Sequence, residues 1–402
     1  LKADSTLGTQ FQFIDATDAN TAQKVLEVIS KWDDSDANSI AFARFVCHYL
    51  YPDANATPEP AVKGGGGSDH IHFDEAGYYL VVDTTPFNHG DFDHAYNSFL
   101  LMVTRDNWNV PITPKAEKPS VKKEVFDNFD NFDNQDGTST GDFGSSADHA
   151  INEKFQFKLT ATLPASTDHA YDYYDTYAVC FKDTLSEGIT YDGPDSVVIK
   201  SNNNTHDTTI DPSKYTIDTK NLENQNYFEV NIHDVKACAK DAGFDLNDGA
   251  TITFTYTAHL NENAAVNGSA ENKNSVRLQY SNNPRPDGEY LGYTPNYTPE
   301  SEVYVYTYQL NNTKRAEKED GTPLPGAGFR LYSDKACTQE VKLYQKDNFY
   351  FPIKDATDKD KDAVQMISGQ DGQFNVKGLD AGTYYLKETT TPADFTPCSV
   401  IP

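Results

Sequence analysis

Residues 251–258 have the sequence TITFTYTA, in which every second residue is apolar and the residues between are threonine. Because successive side chains of a β-strand point to opposite faces, this alternation predicts a strand with one buried and one solvated face. The same alternation recurs at residues 155–159 and 276–280. Strands of this kind are typical of antiparallel sandwiches, so the chain is predicted to be mainly β.

The composition of the 402 residues indicates a folded, acidic protein. Lys and Arg number 33 against 61 Asp and Glu, a net charge of −28, and aromatic residues make up 12%. Disordered chains are poor in aromatic residues, so this abundance favours a packed core. Nucleic-acid binding needs clustered Lys and Arg, and a membrane span needs a run of about 18 apolar residues. The sequence has neither, which argues against both partners.

Two changes of pattern along the chain predict three domains. Residues 1–115 begin with helical periodicity and continue with apolar strands, which predicts an α+β domain. After a joint rich in proline, residues 116–300 are dominated by alternation and contain one short helix around Asp234. Residues 301–402 alternate again between dense turn residues and are predicted to form a smaller sandwich.

Three polar residues of the second segment fall on the apolar faces of their strands. By the period of two, Lys123, Asp183 and Asn274 point to the same side as the Val, Phe and Leu residues two positions away. A buried charge is costly unless it is neutralised or paired. The three residues are therefore predicted to meet in one core, either as a reactive set or as an ordinary buried ion pair.

The third segment repeats this arrangement in part. Lys314 shares a strand face with Leu310, and Glu388 shares one with Leu386. A buried ion pair is again the alternative interpretation.

No motif in the sequence predicts a cofactor or a metal site. A nucleophile elbow, a zincin helix, a P-loop and a dinucleotide fingerprint are all absent. His70 and His72 have no third ligand at a suitable spacing. Residues 127–137 have the composition of a calcium loop without its ligand spacing, so a solvated acidic loop is expected.

Several motifs, in order along the chain, resemble those of one family. Residues 108–115, WNVPITPK, resemble the pilin motif, and residues 324–329, LPGAGF, resemble the opening of a collagen-adhesin B-type domain. Residues 384–389, YYLKET, resemble the pilin E-box, and Lys123, Asp183 and Asn274 match a collagen-adhesin A-type isopeptide domain. The chain thus resembles the sortase-assembled backbone (major) pilins of Gram-positive bacteria, whose domains are tandem Ig-like sandwiches.

The resemblance implies a structural protein and not a turnover enzyme. Lys123 and Asn274 would form an isopeptide bond once, while Asp183 would hydrogen-bond to the Asn274 carbonyl group and shuttle protons. Glu388 would be the E-box acid of an incomplete second site with Lys314. Lys115 would be the nucleophile through which sortase joins neighbouring subunits into an extracellular, wall-anchored pilus.

The implied partners are a pilus sortase and identical pilin subunits, and host glycans or matrix proteins stay open as further partners. A tip or ancillary adhesin of the same system is the main alternative function. A secreted hydrolase is a third interpretation, for which no set of catalytic residues is present.

The chain departs from the family pattern at its end. It stops at Pro402, soon after the E-box, so we expect the last strand, its bond-forming Asn and the LPxTG signal to be missing. No isopeptide bond is therefore predicted in the third domain. We expect a Cys337–Cys398 disulfide to stabilise it instead, and we expect Cys180 to pair with Cys238, an arrangement that suits an oxidising compartment.

Overall fold

The structure is a computed structural model of the 402-residue chain. It describes residues 7–12, 14–15, 17–32, 37–50, 77–81, 99–103, 118–128, 141–167, 169–267, 272–281, 297–317, 321–356 and 362–402.

The N-terminal domain combines helices with a pair of strands, as predicted. Its elements are α1 (Gly8–Phe11), α2 (Thr21–Ile29), α3 (Ala37–Leu50), β1 (Gly77–Val81) and β2 (Phe99–Val103). The strands β1 and β2 pair antiparallel. Phe11 contacts Trp32 and Phe42 with ring centroids 5.8 Å apart in each case. This aromatic cluster packs the helices together, because apolar side chains recur at helical spacing on α2 and α3.

The central domain is a sandwich of two six-stranded sheets among the described residues. The first sheet has the strand order β10-β11-β7-β13-β14-β5 and the second has the order β4-β3-β6-β12-β8-β9. Its elements are β3 (Ser120–Asp127), β4 (Asp142–Gly144), β5 (Ser146–Asp148), β6 (Lys154–Leu163), β7 (Val179–Leu185), β8 (Ile189–Ser201), β9 (Thr208–Thr209), β10 (Tyr215–Asp218), α4 (Leu222–Gln225), β11 (Tyr227–Ile232), α5 (Val235–Asp241), β12 (Ala250–Leu260), β13 (Asn272–Tyr280) and β14 (Ser301–Tyr306).

The strand β12 contains the alternating stretch that indicated the fold. Its residues alternate between fully buried and half-buried along the whole strand. It pairs antiparallel with β6 on one side and β8 on the other, which places it inside the second sheet. The prediction of a mainly β, Ig-like sandwich architecture is confirmed.

The C-terminal domain is a smaller sandwich. In the described residues, one sheet has the order β15-β21-β19-β18, and the other has the order β17-β16-β20 with β22 also pairing with β16. Its strands are β15 (Tyr308–Leu310), β16 (Gly328–Tyr332), β17 (Glu340–Val341), β18 (Leu343–Lys346), β19 (Phe349–Pro352), β20 (Met366–Ile367), β21 (Asn375–Leu379) and β22 (Tyr385–Thr390).

The predicted boundary at residue 300 is wrong in the structure, because β14 completes the central domain. This strand pairs with β13, with Asn274 opposite Val303. Val303 and Val305 are fully buried in the central core. Alternation predicts a strand but does not identify its partner, and strands on both sides of the boundary alternate in the same way.

The central and C-terminal domains pack closely against each other. The backbone amide of Ile151 donates to the carbonyl oxygen of Gly378 at 2.9 Å. Gly378 has a φ of 86°, and a Cβ atom there would lie 2.4 Å from the Ile151 side chain, so this approach requires glycine. Asn152, with a φ of 68°, donates its side-chain amide to the carbonyl oxygen of Pro352 at 2.9 Å.

None of the helices in the described part of the chain is long and apolar enough to cross a membrane.

Candidate functional site

The three polar residues predicted to share a core come from three strands of the central sandwich. Asp183 on β7 lies opposite Val276 of β13, so Asn274, two residues earlier on β13, lies diagonal to it on the same face. Lys123 lies on β3 in the second sheet, and its backbone amide donates to the Ser301 hydroxyl at 2.9 Å. The structure therefore brings the two sheets together at this set of residues.

Lys123 and Asp183 form an ion pair that is closed to solvent. The Nζ atom of Lys123 contacts the Oδ2 atom of Asp183, and both side chains have 0% exposure. Nζ also lies 5.0 Å from the centroid of the Phe157 ring. Two charges in such surroundings lose their hydration, which favours the neutral forms of both groups.

The pKa values of the pair shift in the direction that desolvation dictates. Burial lowers the pKa of Lys123 to about 8, although the negative charge of Asp183 acts in the opposite direction. Burial raises the pKa of Asp183, and the nearby Lys123 ammonium group offsets part of that rise. Both shifts bring the pair closer to a neutral amine beside a protonated carboxyl group, in which Lys123 would be a nucleophile.

Tyr256, to which no sequence pattern assigned a role, joins this set. Its hydroxyl group donates to Asp183 Oδ1 at 3.0 Å and accepts from Lys123 Nζ at 3.2 Å and from Asn274 Nδ2 at 2.6 Å. Tyr256 is fully buried on the inward face of β12. A buried tyrosine hydroxyl needs a polar partner, so its inward position in the alternating stretch was the available signal.

The predicted hydrogen bond between Asp183 and the Asn274 carbonyl group is absent, which corrects that expectation. The Asn274 Oδ1 atom is buried and has no hydrogen-bond partner among the described residues. Tyr256 lies between the two side chains and occupies Asp183 Oδ1. Parity along a strand predicts the face of a residue but not which atoms meet across the core.

The side chain of Asn272 is fully hydrogen-bonded, unlike the carbonyl oxygen of Asn274 on the same strand. Both residues are buried on the same face of β13. Asn272 donates to the carbonyl oxygens of Ala265 and Val305 at 2.9 Å each, and its Oδ1 atom accepts from the Ala265 amide at 2.8 Å. An unpartnered buried carbonyl oxygen costs free energy, so the site at Asn274 calls for a further explanation.

The second predicted pair, Lys314 and Glu388, also forms. Lys314 Nζ lies 3.0 Å from Glu388 Oε2, with side-chain exposures of 15% and 0%. The Cys398 backbone amide donates to the same oxygen at 2.8 Å. Burial acts to raise the pKa of Glu388, but hydrogen bonds from Cys398 and Lys314 outweigh it and hold the pKa below its ordinary value.

Neither predicted disulfide is present, because all four cysteines involved are free thiols. Cys180 lies on the face of β7 opposite the core residue Phe181, whereas Cys238 on α5 packs into that core. The sheet therefore separates the two thiols. Cys398 lies beside Glu388, while the thiol of Cys337 contacts the carbonyl oxygen of Lys335. The expectation of both pairs is wrong for this structure.

Other sequence-based predictions concern residues that the structure does not describe. Lys115 with the rest of the pilin motif, the pair His70 and His72, and most of the acidic loop at 127–137 lie outside the described residues. In the part of the chain that is described, no group of three or more His, Cys, Asp or Glu residues could hold a metal ion.

Comparison with known proteins reveals several solved structures similar to the chain. The 35 kDa C-terminal fragment of the major pilin GBS80 of Streptococcus agalactiae is 20% identical, with a TM-score of 0.48, over 71% of this chain and 90% of that one. The full-length major pilin SpaD from Corynebacterium diphtheriae is 20% identical, with a TM-score of 0.47, over 82% and 69%. The T6 backbone pilin of Streptococcus pyogenes is 19% identical, with a TM-score of 0.48, over 76% and 58%.

No curated protein is significantly similar to the chain. A family model covers most of the C-terminal domain, from the last residue of β15 to beyond β22, and includes both Lys314 and Glu388. It agrees with the resemblance inferred from the motifs of this segment. Residues 310–399 match the SpaA prealbumin-like fold domain.

Proposed function

We propose that the chain is a structural subunit of a covalently joined cell-surface pilus, and that an isopeptide bond between Lys123 and Asn274 cross-links its central domain. The protein would form this bond once, during or after folding, and would not turn over substrate.

One observation carries the proposal for the cross-link. A lysine amine with a pKa lowered to about 8 lies in a closed site that also holds Asp183 and a side-chain amide whose carbonyl oxygen has no partner. An ordinary ion pair does not require a neighbouring amide whose carbonyl oxygen is buried without a hydrogen-bond partner. With a pKa of about 8, a fraction of the lysine is neutral near physiological pH; the neutral form is a nucleophile, and an amide carbon is an electrophile that it can attack.

The reaction is a balanced exchange of one amide for another. Asp183 accepts a proton from Nζ of Lys123, and the neutral amine attacks Cγ of Asn274. The new bond joins Nζ to Cγ, the bond from Cγ to Nδ2 breaks, and Nδ2 leaves as ammonia after it receives the proton that Asp183 had accepted. Asp183 then takes up the second proton that Nζ loses as it becomes the amide nitrogen. Phe157 and the other aromatic residues keep water away, so hydrolysis does not compete with the amine.

Intact mass under denaturing conditions tests the cross-link. The wild-type chain is expected to be lighter than its sequence mass by one ammonia molecule, and proteolysis should release a branched peptide that contains Lys123 and Asn274. Lys123→Met and Asn274→Ala should have the full mass. Lys314→Met is the matched control, because it removes a paired lysine from the other domain and should leave the ammonia loss unchanged. A wild-type chain with the full sequence mass would refute the cross-link.

The subunit role rests on a second lysine. Sortase would join the C-terminal threonine of one subunit to the ε-amine of Lys115 on the next, as the motif at 108–115 implies. The SpaA prealbumin-like domain at residues 310–399 supports membership in such an assembly. A domain rigidified by a covalent cross-link suits a fibre that has to bear load.

Incubation with a pilus sortase and a peptide that carries its sorting signal tests this role. The wild-type chain should gain the peptide, and the linkage should map to Lys115. Lys115→Ala should gain none, while Lys118→Ala, which removes a neighbouring lysine, should react like wild type. Peptide attachment to the Lys115→Ala variant would refute the assignment.

A further inference from the structure

We propose that the hydroxyl group of Tyr256 carries the proton from Asp183 to the leaving nitrogen of Asn274. This inference rests on the isopeptide bond proposed above and assigns one further residue to its formation.

The contacts of the hydroxyl group define the path. Asp183 Oδ1 lies 3.0 Å from the Tyr256 oxygen on one side, and Asn274 Nδ2 lies 2.6 Å from it on the other. Among the described residues, Asp183 makes no hydrogen bond to Asn274: its Oδ1 atom accepts from Tyr256, and its Oδ2 atom contacts Lys123. A proton that Asp183 takes from Lys123 therefore reaches the amide nitrogen through the tyrosine.

The relay balances without any further reactant. Asp183 passes the proton that it took from Nζ to the tyrosine oxygen, while the phenolic proton moves to Nδ2. The bond from Cγ to Nδ2 breaks, ammonia leaves, and Tyr256 ends with its hydroxyl group restored. Asp183, a carboxylate again, accepts the second proton that Nζ loses as it becomes the amide nitrogen. Before the reaction the hydroxyl group donates to Asp183 and accepts from Nδ2, so both hydrogen bonds reverse for the transfers. Protonated Asp183 then donates to the tyrosine oxygen, and the hydroxyl proton turns towards Nδ2, whose lone pair becomes available once Cγ is tetrahedral.

The surroundings keep the phenol protonated until the reaction. Burial and the adjacent Asp183 charge raise the pKa of Tyr256 well above its ordinary value. The hydroxyl group is therefore a proton donor at physiological pH, and its third contact, with Lys123 Nζ at 3.2 Å, places it beside the nucleophile as well. Tyr256 thus touches both reacting nitrogen atoms and qualifies as a catalytic residue.

Packing alone does not explain the hydroxyl group. The ring of Tyr256 lies among aromatic rings, with centroids 5.3 Å from Phe157 and 5.2 Å from Phe228. A phenylalanine would fill the same space. Tyr191, whose ring centroid is 5.3 Å from that of Tyr256, has a buried hydroxyl group with no partner among the described residues. It provides a control for removing a hydroxyl group from this aromatic cluster.

The test follows ammonia loss over time in newly synthesised chain, by intact mass of samples denatured at intervals. Tyr256→Phe is expected to react at least about tenfold more slowly than wild type, because a positioned acid or base typically contributes that much or more. Tyr191→Phe is expected to match wild type. Circular dichroism reports whether each variant is folded. Ammonia loss by Tyr256→Phe at the wild-type rate would overturn the relay, whereas no ammonia loss by wild type would overturn the isopeptide bond itself.

A second variant covers the case in which Tyr256→Phe does not fold. Difluorotyrosine at position 256 keeps the ring and the hydroxyl group but makes the phenol more acidic. If this hydroxyl group transfers protons, the rate of ammonia loss and its dependence on pH should both change by a factor of about three or more. An unchanged rate and pH profile would contradict the relay, because a purely structural role is insensitive to phenol acidity.

Discussion

The central and C-terminal domains each bury a lysine beside a carboxylate, but they surround the two pairs differently. Both side chains of the pair Lys123 and Asp183 have 0% exposure, whereas Lys314 keeps 15% of its side chain in solvent. The pKa of Asp183 is raised, while hydrogen bonds from Cys398 and Lys314 hold the pKa of Glu388 below its ordinary value. Complete burial of Lys123 and Asp183 thus favours the neutral forms of both groups. The hydrogen-bond donors around Glu388, together with the partial exposure of Lys314, favour the charged forms and a stable salt bridge.

The third partner accounts for much of this contrast. In the central domain it is the Asn274 amide, reached through Tyr256, which offers an electrophilic carbon. In the C-terminal domain it is the backbone amide of Cys398, which can donate a hydrogen bond but cannot be attacked by a lysine. Similar pairs therefore have different chemistry because their neighbours differ.

The largest effect is expected from removing the electrophile. Asn274→Ala removes the electrophile of the proposed cross-link and should lower the free energy of unfolding by about 5 kcal/mol, the loop-closure estimate for a link across about 150 residues. Guanidinium unfolding of the wild type and the variant measures the difference. Lys314→Met, which breaks the pair in the other domain, is the comparison. A loss no larger in Asn274→Ala than in Lys314→Met would contradict the distinction between the two sites.

In the Asn274→Ala variant, Lys123 keeps its amine, which should make the stability of the variant depend on pH. The pKa of this amine is lowered to about 8 in the folded state from 10.5, so between these values the unfolded chain binds the extra proton. Stability should therefore increase as the pH rises through this range, by up to about 3 kcal/mol. The double variant Lys123→Met with Asn274→Ala lacks this lysine, so the difference between the two variants isolates its contribution. A constant difference across the range would contradict the shift.

Glu388→Gln should destabilise the C-terminal domain by about 2 kcal/mol, because hydrogen bonds to a buried charged group are lost. Since its pKa is lowered on folding, the contribution is fully present above the ordinary value and is lost as the pH falls through the folded pKa. Thermal unfolding of the variant at neutral and acidic pH measures both effects. Glu340→Gln, in a surface pair with Arg330, should cost less than about 1 kcal/mol. Equal losses of stability in the two variants would show that burial of Glu388 does not strengthen its ion pair.

The smallest effect is expected where the two domains meet. Asn152→Gly keeps the positive φ of 68° and removes the hydrogen bond to Pro352, so it should cost about 1 kcal/mol. Hydrogen exchange at the interface, compared between the variant and wild type, measures the loosening. Asn226→Gly, with a φ of 54° at the end of α4, is the control for the backbone change. If both variants exchange alike, the Asn152 side chain does not couple the two domains.

Much of the candidate site was predictable from single strands, and the rest was not. The period of two placed Lys123, Asp183 and Asn274 on inward faces, and the structure brings all three together. The same rule also applied to Tyr256, but a tyrosine among apolar residues gives no sign of its partners until the opposing sheet is known. The disulfide predictions failed because thiols on separate elements meet only if the fold brings them together.

The sequence alone determined that the chain is mainly β and which faces of strands such as β12 are buried. These features follow from side-chain spacing within about ten residues of chain. Only the tertiary structure decided that β14 belongs to the central sheet, that Tyr256 stands between Asp183 and Asn274, and that Cys180 and Cys238 are separated. These outcomes depend on pairing between distant strands, which is selected by packing of the whole core and not by any one segment.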